Sequence, residues 1–244
     1  MTTNITRPLP IGIQDFEDIR ERGFRYVDKT DYIRLLVSSG KPYFLGRPRR
    51  FGKSLFLSTL KYYFLGRKEL FDGLAISEWE KDWIDYPVFY LDLNVSHYPS
   101  LHVLESILNS WLTELEKKWG KEEETHSDRF RGLIKRASEK TGKKVVVLVD
   151  EYDKPLTETL NEPELHDKIR RMLKGFYGVL KSADQYLRFV MLTGVTKFSQ
   201  VSVFSDLNQL RDISMTDEFS GICGITETEL SDNFQREIQT LADA

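Results

Sequence analysis

Pro48-Arg49-Arg50-Phe51-Gly52-Lys53-Ser54 follows the extended apolar stretch Pro42-Tyr43-Phe44-Leu45 and leads straight into Leu55-Phe56-Leu57-Ser58-Thr59-Leu60-Lys61-Tyr62-Tyr63-Phe64. A strand, a tight Gly-Lys-Ser turn and an amphipathic helix in that order are what a phosphate-binding loop requires. Backbone amides at the start of a helix point outward unpaired, and the helix dipole places partial positive charge there, so the turn can wrap a polyphosphate. In such a loop Lys53 reaches the β- and γ-phosphates and the Ser54 hydroxyl sits on Mg2+. The usual first glycine of G-x-x-x-x-G-K-[ST] falls on Arg47, while Gly46 stands one place too early. A non-glycine residue at a strained loop position costs on the order of 1–3 kcal/mol, and Pro48 also removes a backbone donor. Arg47, Arg49 and Arg50 add three guanidinium groups to the same turn. These either supply by side chain the anion binding that a glycine-rich loop supplies by backbone, or pair with carboxylates of the protein.

A nucleotide site that uses Mg2+ needs a carboxylate on a neighbouring strand. The strongest buried-strand signal is Lys143-Lys144-Val145-Val146-Val147-Leu148-Val149-Asp150-Glu151, whose five consecutive aliphatics include four valines. Such a run suits a parallel strand covered on both faces. At its tip Asp150 is placed to hold Mg2+ and Glu151 to polarise an attacking water. The alternative is an ordinary core strand ending in solvated acids.

Four strings carry a wider resemblance: Val27-Asp28-Lys29-Thr30, Arg47-Pro48-Arg49-Arg50-Phe51-Gly52-Lys53-Ser54-Leu55, Val149-Asp150-Glu151-Tyr152-Asp153-Lys154-Pro155 and Leu192-Thr193-Gly194-Val195-Thr196-Lys197-Phe198. With Gly224-Ile225-Thr226-Glu227 they resemble, in order and over nearly the whole chain, the AAA-ATPase-like family of prokaryotic P-loop proteins. That family includes the Arg-Pro-Arg-Arg-Phe-Gly-Lys-Ser form, so Arg47 fits it. The resemblance implies an α/β P-loop fold, a three-layer sandwich with a central, mainly parallel sheet, of the additional-strand, catalytic-glutamate type that includes the STAND and archaeal ATPases. It implies ATP and Mg2+ as ligands, with Arg47, Arg49, Arg50, Phe51, Gly52, Lys53, Ser54 and Leu55 on the nucleotide, Ser54 and Asp150 on the metal, and Glu151, Thr193 and Lys53 in catalysis. Relatives often carry a restriction-endonuclease-like domain after the ATPase; with the sequence ending at Ala244, that domain is expected to be absent.

With 244 residues, 40% hydrophobic and 30% charged, the chain suits one α/β domain with decorations. Residues 1–40 read as a helical cap on the adenine side and 41–244 as the ATPase core. The N-terminus lacks the apolar centre of a signal peptide and no apolar run approaches membrane-spanning length, so a cytoplasmic protein without membrane association is expected. The single cysteine, Cys223, rules out an intrachain disulfide and reads as a small buried residue. His97, His102, His126 and His166 show no metal-binding spacing. A net charge of −3 does not support a dedicated nucleic-acid binder, and clusters such as Lys168-Ile169-Arg170-Arg171 read as solvated helix faces. Tyr62, Tyr63 and Phe64 sit at helical spacing and read as core.

Two short helices are expected around Asp15–Arg20 and Thr30–Leu36, then strand 42–45, helix 53–64, strand 88–93, helices 101–119, 129–139 and 164–182, and strand 187–192. The strand at 88–93 is expected between the partners of the two motif strands, as the additional strand. Thr193 is a candidate sensor of the γ-phosphate and of the lytic water, with Lys197 behind it, although Thr193 and Thr196 equally suit turn formation. Arg211 reads as a trans-acting finger in a homo-oligomer or as a surface ion-pair partner. Three functions stay open: ATP hydrolysis coupled to a protein partner or fused effector domain, a nucleotide-gated switch that orders the Tyr152–Asn161 loop, and a nucleic-acid-handling domain without its nuclease half.

Overall fold

The computed structural model describes residues 7–39, 42–94, 97–195 and 210–243. At its centre lie β1 (Tyr43–Gly46), β2 (Val88–Asp92), β3 (Val145–Asp150), β4 (Leu187–Gly194) and β5 (Arg211–Asp212). They hydrogen-bond in the order β2-β3-β4-β1-β5, every pair parallel. Parallel neighbours need long crossovers, and helices supply them. Helix α3 (Lys53–Phe64) and the short α4 (Ile76–Trp79) follow β1, α5 (Leu101–Trp119) and α6 (His126–Thr141) join β2 to β3, and α7 (Lys154–Glu158) and α8 (Pro163–Ser182) join β3 to β4. Ahead of β1 stand α1 (Phe16–Glu21) and α2 (Asp31–Ser39), and α9 (Glu227–Ala242) comes last.

Alternation along the strands sorts the helices into two layers. Phe44, Val145, Val147, Val149, Val190 and Leu192 enter one core with α5, α6 and α8. Tyr43, Leu45, Val146, Leu148, Phe189 and Met191 enter the other with α1, α2 and α3. All six residues of β3 are buried, which is why its sequence shows an unbroken aliphatic run instead of alternation. The first helices, read from sequence as a cap, thus share a core with the helix of the Gly-Lys-Ser turn.

The strand at 88–93 does not separate the motif strands. It forms β2, on the far side of β3, and β4 stands between β1 and β3. The side-chain patterns explain the exchange. Along β2 only Phe89 and Leu91 are buried, while Val88, Tyr90 and Asp92 are part-exposed, as suits the outermost position. Phe189 through Gly194 of β4 are all buried, as a central position demands.

Because the strands are parallel, their C-terminal ends meet along one margin. Gly46 stands opposite Gly194, Leu45 opposite Thr193, and Asp92 opposite Asp150. Ligands of open α/β sheets gather at such a margin, outside the carboxyl ends of the strands. Glycine at 194 is dictated by contact. A Cβ there would approach Asp153 Oδ1 and Tyr152 Cε1, both to 2.7 Å, and neither is the loose end of a flexible chain.

The two ends of the described chain are latched together beside this margin. Lys29 Nζ donates to Gly221 O at 2.7 Å and pairs with Glu229, which also completes the capping box of α9 with Thr226. Arg25 donates to Asn233 O at 2.7 Å, pairs with Glu237 at 2.8 Å and lies over the Phe234 ring. Gly194→Ala should lower stability by about 1–3 kcal/mol, because the methyl must displace packed groups. Urea denaturation against the native chain checks this, and an unchanged midpoint would show that the β4 end yields freely.

Candidate functional site

The Gly-Lys-Ser turn is formed as the sequence requires. Gly52 is the N-cap of α3 at φ 89, where a side chain would be strained, and no side-chain cap covers the first-turn amides. Arg50, at φ 64, also takes the left-handed conformation. That strain in a non-glycine residue marks a turn fixed by its surroundings.

Lys53 is not on the turn surface. It is 3% exposed, and its Nζ lies 3.0 Å from Glu151 Oε1, 3.1 Å from Arg47 O and 3.3 Å from Pro48 O. Two charges removed from water are tolerated only when attraction and further hydrogen bonds offset the lost hydration, and the two loop carbonyls supply those bonds. Glu151 itself sits at φ 50, strained for a residue with a side chain. Its N–H is directed at Thr193 Oγ1, 3.3 Å away.

Thr193 is fully buried, and its hydroxyl donates to Asp150 Oδ1 while facing the Glu151 amide. It therefore stands behind both acids and orients them, instead of facing the open cavity as the sensing role expected. Next to Asp150 lies Asp92, whose carboxyl is pushed above the usual carboxylate range by burial, with the Asp150 charge adding to the rise and the Asn94 N–H opposing it. One negative charge at this point already discourages a second.

Arg47 needs a correction. Expected among the nucleotide-binding side chains, it turns away from the cavity and donates to the carbonyls of Gly46, Ser214 and Phe219. Those bonds tie the end of β1 to the segment after β5. Arg49 and Arg50 behave differently: both are exposed and line the cavity, and among the described residues neither forms an ion pair. The carboxylates of Glu151 and Asp28 are engaged elsewhere, with Lys53 and with Thr30 and the Ala75 N–H. Arg211 pairs with Glu218 at 2.9 Å and lies against the Phe219 ring. Thr196 and Lys197 fall outside the described residues.

A cavity of about 660 Å³ gathers Arg49, Arg50, Phe51, Gly52, Lys53, Ser54, Leu55 and Glu151. Four further polar residues to which the sequence assigned no role, Gln14, Asn94, Lys154 and Thr157, share its wall. The signal for Asn94 was its place just after the tip of a parallel strand. On the other side of Phe51 an apolar cavity of about 410 Å³ lies between Leu9–Ile13, Tyr26, Val27, Leu55, Phe56, Ile222–Ile225 and Phe234. Both chain ends build it, so no local motif announces it. Cys223 lines this cavity, and burial pushes its thiol up to about 11, which keeps it un-ionised and unreactive near neutral pH. Among the described residues no three His, Cys, Asp or Glu side chains converge as a self-sufficient metal site.

The profile of a family described as predicted AAA-ATPase matches residues 10–204, most of the chain. The chain belongs to the predicted AAA-ATPase family. A relative from Azotobacter chroococcum mcd 1, described as an uncharacterized protein in the vnfD 5′ region, is 44% identical over 240 residues, which cover 96% of this chain and 46% of the relative. The chain thus spans about half the length of that relative. Membership in the family suggests a nucleotide-binding ATPase domain. Among the described residues no helix is long and apolar enough to cross a membrane.

A double-mutant cycle on Lys53→Met and Glu151→Gln measures how far this pair holds the site. Equilibrium unfolding without nucleotide should give a coupling energy of about 1–3 kcal/mol, because each single change strands a buried partner. Additive effects would mean that the pair contributes no stability.

Proposed function

We infer that the chain binds ATP with Mg2+ at the carboxyl margin of its sheet and hydrolyses it, in the manner of an additional-strand, catalytic-glutamate ATPase. The observation that carries this reading is the convergence of an uncapped, glycine-led helix start, a buried lysine and a strand-end glutamate on one cavity. The strand order adds support, since β4 intervenes between the Gly-Lys-Ser strand and the Asp-Glu strand.

The donor set fits a Mg2+ nucleotide. Mg2+ is held by one or two carboxylates, water and substrate phosphates in preference to an all-protein cage. Ser54 at the start of α3 lines the cavity, while Asp150 at the end of β3 is buried behind it against the Thr193 hydroxyl and would reach the metal through water; no protein cage accompanies them among the described residues. Bound there, Mg2+ would neutralise charge on the β- and γ-phosphate oxygens. The first amides of α3 would receive phosphate oxygens, and Arg49 and Arg50 would close over the phosphate tail. The apolar cavity beside Phe51 suits the base, which accords with a cap formed by the first forty residues.

Lys53 cannot serve the phosphates and Glu151 together in its present arrangement. Phosphate oxygens would compete with Glu151 for the ammonium, and the released carboxylate would take a proton from the attacking water. Nucleotide arrival thereby frees the base that acts on it. The same exchange supports a second reading, a nucleotide-gated switch with little turnover, in which Glu151 release is itself the output. The segment from Tyr152 to Asn161 includes the ordered helix α7, so in that reading its movement, not its ordering, would carry the signal. A protein partner or a further domain of the longer relatives would receive the output.

Glu151→Gln separates the two. Removal of the carboxylate that competes for Lys53 should tighten ATP binding, while a hydrolytic role predicts a fall in kcat of about 10²–10⁴-fold. Calorimetry and steady-state phosphate release measure both. Tight binding with no turnover in either protein favours the switch, and loss of binding in Glu151→Gln overturns the competition.

Changing Arg49 and Arg50 together to Gln should weaken ATP more than AMP, and more at low salt than at high, because charge-assisted bonds to the β- and γ-phosphates are lost. Equal weakening of both nucleotides would assign the arginines to the loop's own structure.

A further inference from the structure

Lys154 follows Glu151 by three residues, and its backbone N–H donates to the Glu151 carbonyl at 3.0 Å. Its side chain is 15% exposed and enters the cavity shared by Lys53, Ser54 and Glu151. An ammonium carries three donors. Among the described residues Nζ makes one hydrogen bond, to Asn94 O at 3.1 Å, with the Glu158 carboxylate standing off at 3.7 Å. That carboxylate also receives the Tyr98 N–H at 3.1 Å and approaches His97 at 3.4 Å. A lysine four residues ahead of a glutamate on a helix is the weaker order of such pairs, worth a few tenths of a kcal/mol at most. The ion pair therefore gives little reason for a cation at this wall.

Three nearby cations are committed in ways that Lys154 is not, whereas Arg49 and Arg50 stay unpaired among the described residues on the phosphate-loop turn. Lys53 has three acceptors, Arg47 is spent on carbonyls behind the loop, and Arg211 is occupied by Glu218. Among the described residues Lys154 is the cation in the same turn of chain as the candidate base, Glu151.

We propose that Lys154 is a catalytic cation supplied in cis, which contacts the γ-phosphate and stabilises the charge that develops on it during hydrolysis. This rests on the reading of the cavity as an ATP site. In the reaction the water oxygen forms a bond to Pγ while the bond from Pγ to the β,γ-bridging oxygen breaks, and that oxygen leaves with the electron pair as part of ADP. Glu151 accepts one proton of the water and returns it to solvent. Charge shifts toward the bridging and γ-oxygens as the bond lengthens, and a fixed cation in a partly dry cavity stabilises that shift without reorganising. With the cation in cis, a single chain holds the full set and needs no arginine from a second copy.

The test compares the native protein with Lys154→Gln and Lys154→Arg, reading three quantities: kcat, dissociation constants for ADP and a slowly hydrolysed ATP analogue, and the unfolding midpoint. Lys154→Gln should lose about 10²–10³-fold in kcat, the scale of one transition-state donor. It should also weaken the ATP analogue several-fold, with ADP affinity and the midpoint unchanged, and Lys154→Arg should recover part of each loss. Activity per chain should stay constant on dilution. Native kcat in Lys154→Gln, or equal weakening of ADP and analogue with a lowered midpoint, would overturn the proposal and leave Lys154 as a tether between Asn94 and α7. If the native chain binds ATP without turnover, the ratio of analogue to ADP affinity still decides. Failure of the native chain to bind either nucleotide would instead bring down the ATP-site reading itself.

Discussion

A buried ion pair between Lys53 and Glu151 joins the two halves of the site across a strand that belongs to neither. Lys53 rides on the helix after β1, Glu151 closes β3, and β4 runs between them. For the pair to form, the sheet must bring three strand ends level, which the register does by setting Leu45 beside Thr193 and Val149 beside Leu192. Thr193 then stands where its hydroxyl reaches Asp150 and the Glu151 amide. The close approach at Gly194 and the left-handed backbone at Glu151 are both consequences of turning the chain sharply at this level. Strain of about 1–3 kcal/mol at such a residue persists only where surrounding bonds fix it, and the ion pair with the Thr193 contact supplies them.

Much of this was legible in the sequence because it is written locally. Gly52-Lys53-Ser54 forms its turn between a strand and a helix, the valine run makes the fully buried β3, and the helices at 53–64 and 101–119 span the residues that periodicity marks. What stayed hidden depends on contacts between distant segments. Whether Arg47 meets a phosphate or a carbonyl depends on Ser214 and Phe219, far along the chain. Which strand intervenes in the sheet is decided by burial on both faces, and an alternating run such as Val88–Asp92 loses that place to the continuous β4. Thr193 could be placed at a strand end but not aimed, since aim depends on the partner strand. The burial of Lys53 against Glu151 was equally out of reach, since its partner stands at the end of a strand far along the chain.

The apolar cavity shows the same limit in another form. Its walls come from residues 9–13, 25–29, 51–56 and 222–234, and Lys29 and Arg25 clamp the second of these to the last. Phe51 lies between this cavity and the polar one, and its carbonyl receives the Gly224 N–H at 2.8 Å. A ligand seated across both cavities therefore touches the phosphate-loop turn and the segment leading into α9 at once.

That geometry gives the site two outlets with different chemistry. Toward β3, charge is the currency: an anion near Lys53 competes with Glu151, and the outcome reaches α7 through the Glu151 carbonyl bound to the Lys154 amide. Toward α9, packing is: filling the apolar cavity presses on Phe51, Gly224 and Phe234, while the ionic latch from Arg25 and Lys29 holds the helix in register. On the proposed ATP reading, electrostatic exchange would respond to the number of phosphates, whereas apolar filling would respond to the base. A diphosphate and a triphosphate would thus load α9 alike and α7 differently. On the proposed ATP reading, the presence of a nucleotide and its hydrolytic state would act through contacts of two kinds, because the two cavities adjoin along Ile11, Ile13, Arg50, Phe51, Gly52 and Leu55.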